Sequence, residues 1–204
     1  MTDVGNPWQV RSFEELYASV GSDLARVPWA RLAPQPMLLD WLDSRNEPNG
    51  TALVIACGLG DDAEELSRRG YQVTAFDVSE TAIGWCRQRF PSSKVEYSVH
   101  NLFALPEAWS GQFDFVLEVN TVQSLPPSDH ENAIDAIANT VAANGLLRVK
   151  CLGREADQQT PTRPYPLSRA EIARYGERGL TEIEFVEQAT EGDRFWWLTY
   201  RRDG

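Results

Sequence analysis

Thr51-Ala52-Leu53-Val54-Ile55-Ala56-Cys57-Gly58-Leu59-Gly60-Asp61-Asp62-Ala63 decides how this 204-residue chain is read. The run from Thr51 to Ala56 is nearly all apolar, as a strand buried on both faces requires. Gly58 and Gly60 follow, residue types that let a backbone turn sharply or approach a ligand closely. Asp61 to Arg69 then reads as a helix closed by Gly70. Strand, glycine turn and helix in that order open a βαβ unit.

Working downstream, Gln72 to Phe76 reads as a second strand ending at Asp77, and Ser79 to Phe90 as a helix stopped by Pro91. Lys94 to Val99 and Phe113 to Val119 supply a third and a fourth strand. Ser128-Asp129-His130-Glu131 fits a capping box opening a helix with Ile134, Ile137 and Val141 on its apolar face, ended by Asn144-Gly145. Leu146 to Cys151 is a fifth strand, and a second box at Ser168-Arg169-Ala170-Glu171 opens a helix running to about Arg178. Thr181 to Val186 and Phe195 to Arg201 read as two strands joined by a short linker, as in a hairpin. The alternation predicts an α/β fold, a parallel sheet with right-handed crossovers that closes on an antiparallel pair.

Upstream, Phe13, Leu16, Tyr17 and Val20, then Leu38, Leu39 and Leu42, recur at helical spacing. Between them lies a proline-punctuated loop holding Trp29. Trp8 adds another aromatic before them, and Glu47-Pro48-Asn49-Gly50 is a turn signal after them. One domain over 1–204 is expected, with 1–48 as a helical lid segment and 49–204 as the cofactor-binding core.

Hydrophobic residues make up 42% and charged residues 24%, which suits one globular core. The net charge is −11 and the lysines are Lys94 and Lys150, a poor basis for neutralising nucleic-acid phosphates. No apolar run is long enough for a bilayer, and Met1 to Gly5 lacks a basic and apolar opening, so a cytoplasmic location without membrane contact is expected. Cys57, Cys86 and Cys151 read as free thiols, and with two histidines no metal site is expected.

The glycine turn asks for a nucleotide. Asp77 stands 19 residues beyond Gly58, where a carboxylate can accept both hydroxyls of a ribose. Gly58-Leu59-Gly60-Asp61-Asp62-Ala63 also fits a dinucleotide fingerprint with alanine in its last slot, which would seat a pyrophosphate on the helix N-terminus. Asp61 and Asp62 oppose that: each like-charge contact costs on the order of 3–4 kcal/mol before screening. S-adenosylmethionine carries no phosphate and escapes the objection. A nicotinamide-dependent oxidoreductase stays as the alternative, although no tyrosine is followed four residues later by lysine.

Residues 52–63 resemble the first motif of class I S-adenosylmethionine-dependent methyltransferases, and most resemble the thiopurine, thiol and halide methyltransferase group. Gly70 to Ser79 with Ala82-Ile83, Phe113 to Val116, and Gly145 to Val149 are similar to later blocks of that family, in order. The resemblance implies a Rossmann-like, seven-stranded, mostly parallel sheet with helices on both faces and an antiparallel last strand. It implies that Ala56, Gly58 and Gly60 line the methionine end of the cofactor, Asp77 holds the ribose, Val78 lies beside the adenine, and Asn101-Leu102 touch the adenine amine. Trp29 is read as the lid over the methyl-transfer site, or as packing for the N-terminal segment.

Glu118 closes the fourth strand at the end where ligands bind in such sheets. It is placed to hold the cofactor's ammonium or to accept a substrate proton; capping the next loop is its other reading. Asn120, Thr121 and Gln123 follow as substrate contacts. His130 reads as a surface residue and His100 as structural. Trp196 and Trp197 should point to opposite faces, one into the core and one outward. Arg154 reads as a solvated residue or an anion contact. The fourth strand leads into Glu118-Val119-Asn120-Thr121 and lacks the Pro-Pro-aromatic tetrad of amino-directed macromolecular methyltransferases. The expected partner is thus a small-molecule methyl acceptor, the chain acting as monomer or homodimer. A non-catalytic S-adenosylmethionine-binding protein of the same fold remains the other alternative.

Overall fold

Thr51–Ile55 (β1), Gln72–Asp77 (β2), Glu96–Val99 (β3), Phe113–Val119 (β4), Val141–Leu152 (β5), Leu180–Ala189 (β6) and Arg194–Arg202 (β7) form a seven-stranded sheet in the order β3-β2-β1-β4-β5-β7-β6. β1 with β2, β2 with β3, and β4 with β5 run parallel, whereas β7 is antiparallel to both β5 and β6. This is the mostly parallel sheet with a C-terminal antiparallel hairpin that the sequence predicts. The computed structural model describes residues 12–21, 23–45, 50–158, 160–190 and 192–204; Met1 to Gly5, Trp8 and Glu47-Pro48-Asn49 lie outside them. Among the described residues no helix is long and apolar enough to cross a membrane. The chain packs as two units, 1–101 and 102–204.

In the first unit, Phe13–Val20 (α1), Pro36–Asp43 (α2), Asp61–Arg68 (α3) and Glu80–Arg89 (α4) accompany β1 to β3. Ser12 caps α1 by accepting from Glu15 N (3.1 Å), and Ser79 caps α4 by accepting from Ala82 N (3.0 Å). Leu16, Tyr17 and Val20 of α1 pack with Val27, Leu59 and Ala82, flanked by Phe13, Trp29 and Trp85. Burying each large apolar side chain of this kind contributes about 1.5–3 kcal/mol. Glu14 fastens α1 to α4, because its carboxylate accepts from Thr81 N (3.2 Å) and from the hydroxyls of Ser79 and Thr81. Those hydroxyls hold its carboxyl below the usual 4.5.

The second unit holds β4 to β7 with His130–Asn139 (α5), Arg169–Ile172 (α6) and Arg174–Glu177 (α7). Several expectations are corrected here. Ser128 does not cap α5. Pro126 and Pro127 fix the chain into a 3-10 turn over Pro127–Asp129, and Asp129, at the N-cap, makes no capping bond. Asn144-Gly145 does not end a helix. α5 stops at Asn139, β5 already starts at Val141, and left-handed Asn144 (φ 62°) lies within a register shift of β5 against β4. The box at Ser168 forms in full, but the helix beyond it divides at Ala173 into α6 and α7.

Two expectations about side chains are also corrected. His130 is buried, with Nδ1 3.0 Å from Glu171 Oε1 and Nε2 3.0 Å from Leu125 O. Trp196 and Trp197 are both buried. A Cβ on Gly153 would fall 2.1 Å from the Trp196 ring, so the Gly153 backbone lies directly against that indole. Trp197 instead carries the Arg148 guanidinium 4.9 Å from its ring centre. Arg148, 2% exposed at its side chain, donates to Glu184 Oε2 (2.8 Å) and Thr199 Oγ1 (2.7 Å).

Candidate active site

β1 ends at Ile55, and the next five residues contain three left-handed backbones: Ala56 (φ 47°), Gly58 (φ 55°) and Gly60 (φ 87°). Ala56 holds this conformation without glycine's freedom, at a cost on the order of 1 kcal/mol. Gly58 N donates to Asp77 Oδ2 (3.0 Å), and Ser79 N donates to Asp77 Oδ1 (3.0 Å). Asp77 is 4% exposed. Burial pushes its carboxyl from 3.8 up to about 6, while the amides of Ser79, Gly58 and Val78 favour the anion. Each oxygen can accept more than one bond, so the carboxylate that fixes the loop retains capacity for the two hydroxyls of a ribose.

Beside it, Val78 is 53% exposed, and Val99, paired with Asp77 across β2 and β3, is 44% exposed. Two open apolar side chains next to a diol acceptor suit a nucleoside base. Sequence reasoning missed Val99, which only the strand register reveals. Asn101 is exposed just past β3. Gly58 and Gly60 also answer to internal packing: a Cβ at Gly60 would lie 2.5 Å from Tyr97 Oη and 3.0 Å from Cys86 Sγ, and one at Gly58 would lie 3.1 Å from Tyr17 Oη. Trp29 is half-buried, packs edge-on against Phe13 and Tyr17, and donates from Nε1 to Tyr17 Oη (3.0 Å).

In the second unit, Leu102 is buried in a 3-10 turn over Leu102–Ala104. Glu118 has no exposed surface. Its Oε1 accepts from the amides of Thr121 and Val122, so it does cap the loop after β4, and Oε2 has no hydrogen-bond partner among the described residues. Burial pushes this carboxyl from 4.5 up to about 7, against the pull of those two amides. Asn120 is left-handed (φ 61°); its amide donates to Lys150 O (2.8 Å), and its Oδ1 is buried without a partner among the described residues. Gln123 ties the loop down, its Oε1 accepting from Leu152 N and its carbonyl accepting from Tyr165 N (2.7 Å).

A family model described as a methyltransferase domain matches residues 52–145, the span that holds the glycine loop, Asp77 and Glu118. Over that span the chain is similar to methyltransferase domains. Ubiquinone biosynthesis O-methyltransferase of Xanthomonas axonopodis pv. citri (strain 306) is 30% identical over 125 residues, 60% of this chain and 52% of that protein. The chain spans about half the length of the curated relatives it matches. Among solved structures, N-methyltransferase NodS from Bradyrhizobium japonicum WM9 in complex with S-adenosyl-L-homocysteine superposes with a TM-score of 0.70 at 24% identity, over 92% of this chain and 98% of that one. Magnesium protoporphyrin IX methyltransferase (ChlM) from Synechocystis PCC 6803 with bound S-adenosylmethionine gives 0.67 at 20% identity, over 82% and 77%. These two likenesses are likenesses of fold.

The two aspartates that the sequence sets against a pyrophosphate at the start of α3 are both engaged within the chain. Arg89 grips Asp61 through two bonds (2.9 and 2.7 Å) and also donates to Leu59 O. Gln35 N donates to Asp62 Oδ1 (2.7 Å). The carboxylates at the start of α3 are therefore engaged by the chain's own groups, while no side chain caps its first amides; Arg89 offsets the charge of Asp61, and Asp62 is left to repel a pyrophosphate there. Arg154 is likewise no solvated residue, since it donates to Glu171 Oε2 (2.8 Å), Pro166 O (2.9 Å) and three carbonyls of the loop after it. With Arg169, Arg194, Phe185 and Trp196 it lines a groove of about 360 Å³, in which each guanidinium is already ion-paired. Besides Val99, sequence reasoning did not single out Glu14, Tyr17 and Gln35, which meet the candidate site from the N-terminal segment; helical spacing marks the face of α1 and cannot name its partner 65 residues away.

Proposed function

We propose that this chain transfers the methyl group of S-adenosylmethionine to a small-molecule nucleophile: a thiol, a halide, a heterocyclic amine or a hydroxyl. The observation that carries the reading is the buried Asp77 carboxylate, tied to both Gly58 and Ser79, beside the open Val78 and Val99 side chains and a helix start that carries Asp61 and Asp62. Such a cradle suits a nucleoside without phosphates. In this reading Ala56, Gly58 and Gly60 line the methionine end, Asp77 accepts the ribose hydroxyls, Val78 lies along the adenine, Asn101 and Leu102 meet its amine, and Trp29 covers the transfer site. The curated relatives' name favours a hydroxyl acceptor; the resemblance to thiopurine, thiol and halide methyltransferases favours sulfur or halide.

When bound, the cofactor supplies a methyl group already activated by its sulfonium, so the chain has chiefly to place a nucleophile and exclude water. A thiolate or halide needs no base. For a hydroxyl or amine, Glu118 is the proposed proton acceptor or ammonium holder, since its carboxyl sits near neutral pH and Oε2 is without a partner among the described residues. Asn120 Oδ1 is proposed as its neighbouring ligand contact. The whole chain 1–204 is read as one domain with 1–48 as its lid, acting in the cytoplasm as monomer or homodimer, with no nucleic-acid or membrane partner. The full burial of Glu118 favours one second reading, a non-catalytic S-adenosylmethionine-binding protein.

Calorimetric titration with S-adenosylhomocysteine, run beside NAD and NADP, tests the cofactor. Micromolar binding of the homocysteine product alone supports the proposal, and binding of a nicotinamide nucleotide overturns it. Radiolabel transfer to a panel of phenols, thiols, iodide and heterocyclic amines separates the enzyme from the binding protein: tight cofactor binding without transfer to any acceptor favours the latter.

A further inference from the structure

Tyr17 brings a phenol from α1 onto the glycine loop. Its ring is buried and edge-on to Trp29 and Trp85, with centroids 5.6 and 5.8 Å away. Its Oη lies 3.1 Å from the position a Cβ on Gly58 would take. A phenolic hydroxyl has one proton to give and lone pairs to receive. Trp29 Nε1, a donor only, fixes Oη as an acceptor in that direction at 3.0 Å. The Tyr17 proton must therefore point elsewhere, and no group among the described residues accepts it. Burial and the nearby Asp77 push this phenol well above its usual 10, so the proton stays in place at any ordinary pH. The Trp29 N–H polarises the phenol and makes its O–H a stronger donor. The Glu14 contacts to Ser79 and Thr81 hold α1 in this position over the loop.

The donor is therefore buried and lacks an acceptor among the described residues, beside a loop read as the methionine end of the cofactor. Asp77, an anion, takes hydroxyls that donate; a group that must receive a proton falls to Tyr17. The one anion on S-adenosylmethionine is the carboxylate of its amino-acid end. We infer that the Tyr17 hydroxyl, oriented by Trp29, donates to that carboxylate and positions the amino-acid end of the cofactor. The inference rests on the function proposed above.

The test compares two ligands that share a nucleoside and differ in the amino acid. S-adenosylhomocysteine carries the carboxylate, and 5′-methylthioadenosine lacks the whole amino-acid end. Tyr17→Phe keeps the ring and its edge contacts and removes only the hydroxyl. Calorimetry should show S-adenosylhomocysteine weakened about tenfold to a hundredfold, the scale of a hydrogen bond to a charged group, and methylthioadenosine changed less than about twofold. Trp29→Phe, which removes the orienting N–H, should weaken S-adenosylhomocysteine by a larger factor than methylthioadenosine; it also serves if Tyr17→Phe fails to fold. Unchanged affinity for both ligands in a folded variant, or an equal loss for both, overturns the inference while leaving the cofactor assignment standing. If the unaltered protein binds neither ligand, the proposed function itself fails and the inference falls with it.

Discussion

Asp77 accepts two backbone amides and sits in a setting that raises its carboxyl to about 6. In its proposed role as acceptor of ribose hydroxyls it works as the anion, so affinity for S-adenosylhomocysteine should fall as pH drops through about 6, approaching tenfold per unit well below it. Titrations across pH check this, and Asp77→Asn should flatten the profile while weakening binding. Stability runs the other way. A carboxyl whose folded value lies above its unfolded value contributes stability that is full below the unfolded value and lost as pH rises through the folded one. Glu118 follows the same sign between 4.5 and about 7. Glu118→Gln should therefore stabilise the protein relative to the parent at pH 8 by up to about 3 kcal/mol, with no difference in that sense at pH 4, read from urea midpoints at both values. Equal midpoint shifts at both pH values would show that the carboxyl is not held protonated by burial. Asp77 was legible because strand end and glycine turn fix where it stands. Tyr17 and Glu14 were not, because their partners are set by how α1 lies on the loop, a contact that no local periodicity encodes.

Elements divide by how local their causes are. β4 was readable to its ends because five of the seven residues from Phe113 to Val119 are apolar and polar Gln112 and Asn120 border them. Two serine boxes that look alike in sequence behave differently: Ser168 has an extended backbone and caps α6, whereas Ser128 sits inside a turn that two prolines impose. The first half of β5 was hidden because Ala142 to Gly145 reads as a turn and forms a bulge, pairing with β4 overriding local signals. The Arg148 position in the middle of β5 is likewise paid for across strands, by Glu184 of β6 and Thr199 of β7. Glu184→Ala removes a carboxylate from a buried guanidinium and should cost about 2–3 kcal/mol in urea unfolding, less than the about 3–5 of a fully enclosed pair because Glu184 is partly exposed. Glu184→Gln should recover part of that loss. A change within about 0.5 kcal/mol would mean that Thr199 and Trp197 suffice to hold the arginine.

For the whole chain, strand and helix alternation, the glycine turn and the closing hairpin all pointed to one sheet, and the seven-stranded order agrees. Agreement among independent signals is what made the architecture readable. The acceptor is a different matter, since methyl transfer demands no diagnostic residue and the groups around a nucleophile are chosen by shape. One feature of the sheet bears on handling the protein. β6 is one of its two edge strands, ten residues long, and exposes Ile183 and Phe185 among Glu182, Glu184 and Glu187. An open ladder with apolar side chains invites a second chain to add on, and the glutamates repel such an addition as long as they are ionised. Colloidal behaviour should therefore depend on acidity: light scattering from a fixed concentration should stay flat near neutrality and climb as pH approaches the isoelectric point of about 4.7. Scattering that stays flat there would mean another part of the chain shields the strand, and purification by mild acid would be safe where it is otherwise predicted to precipitate the protein.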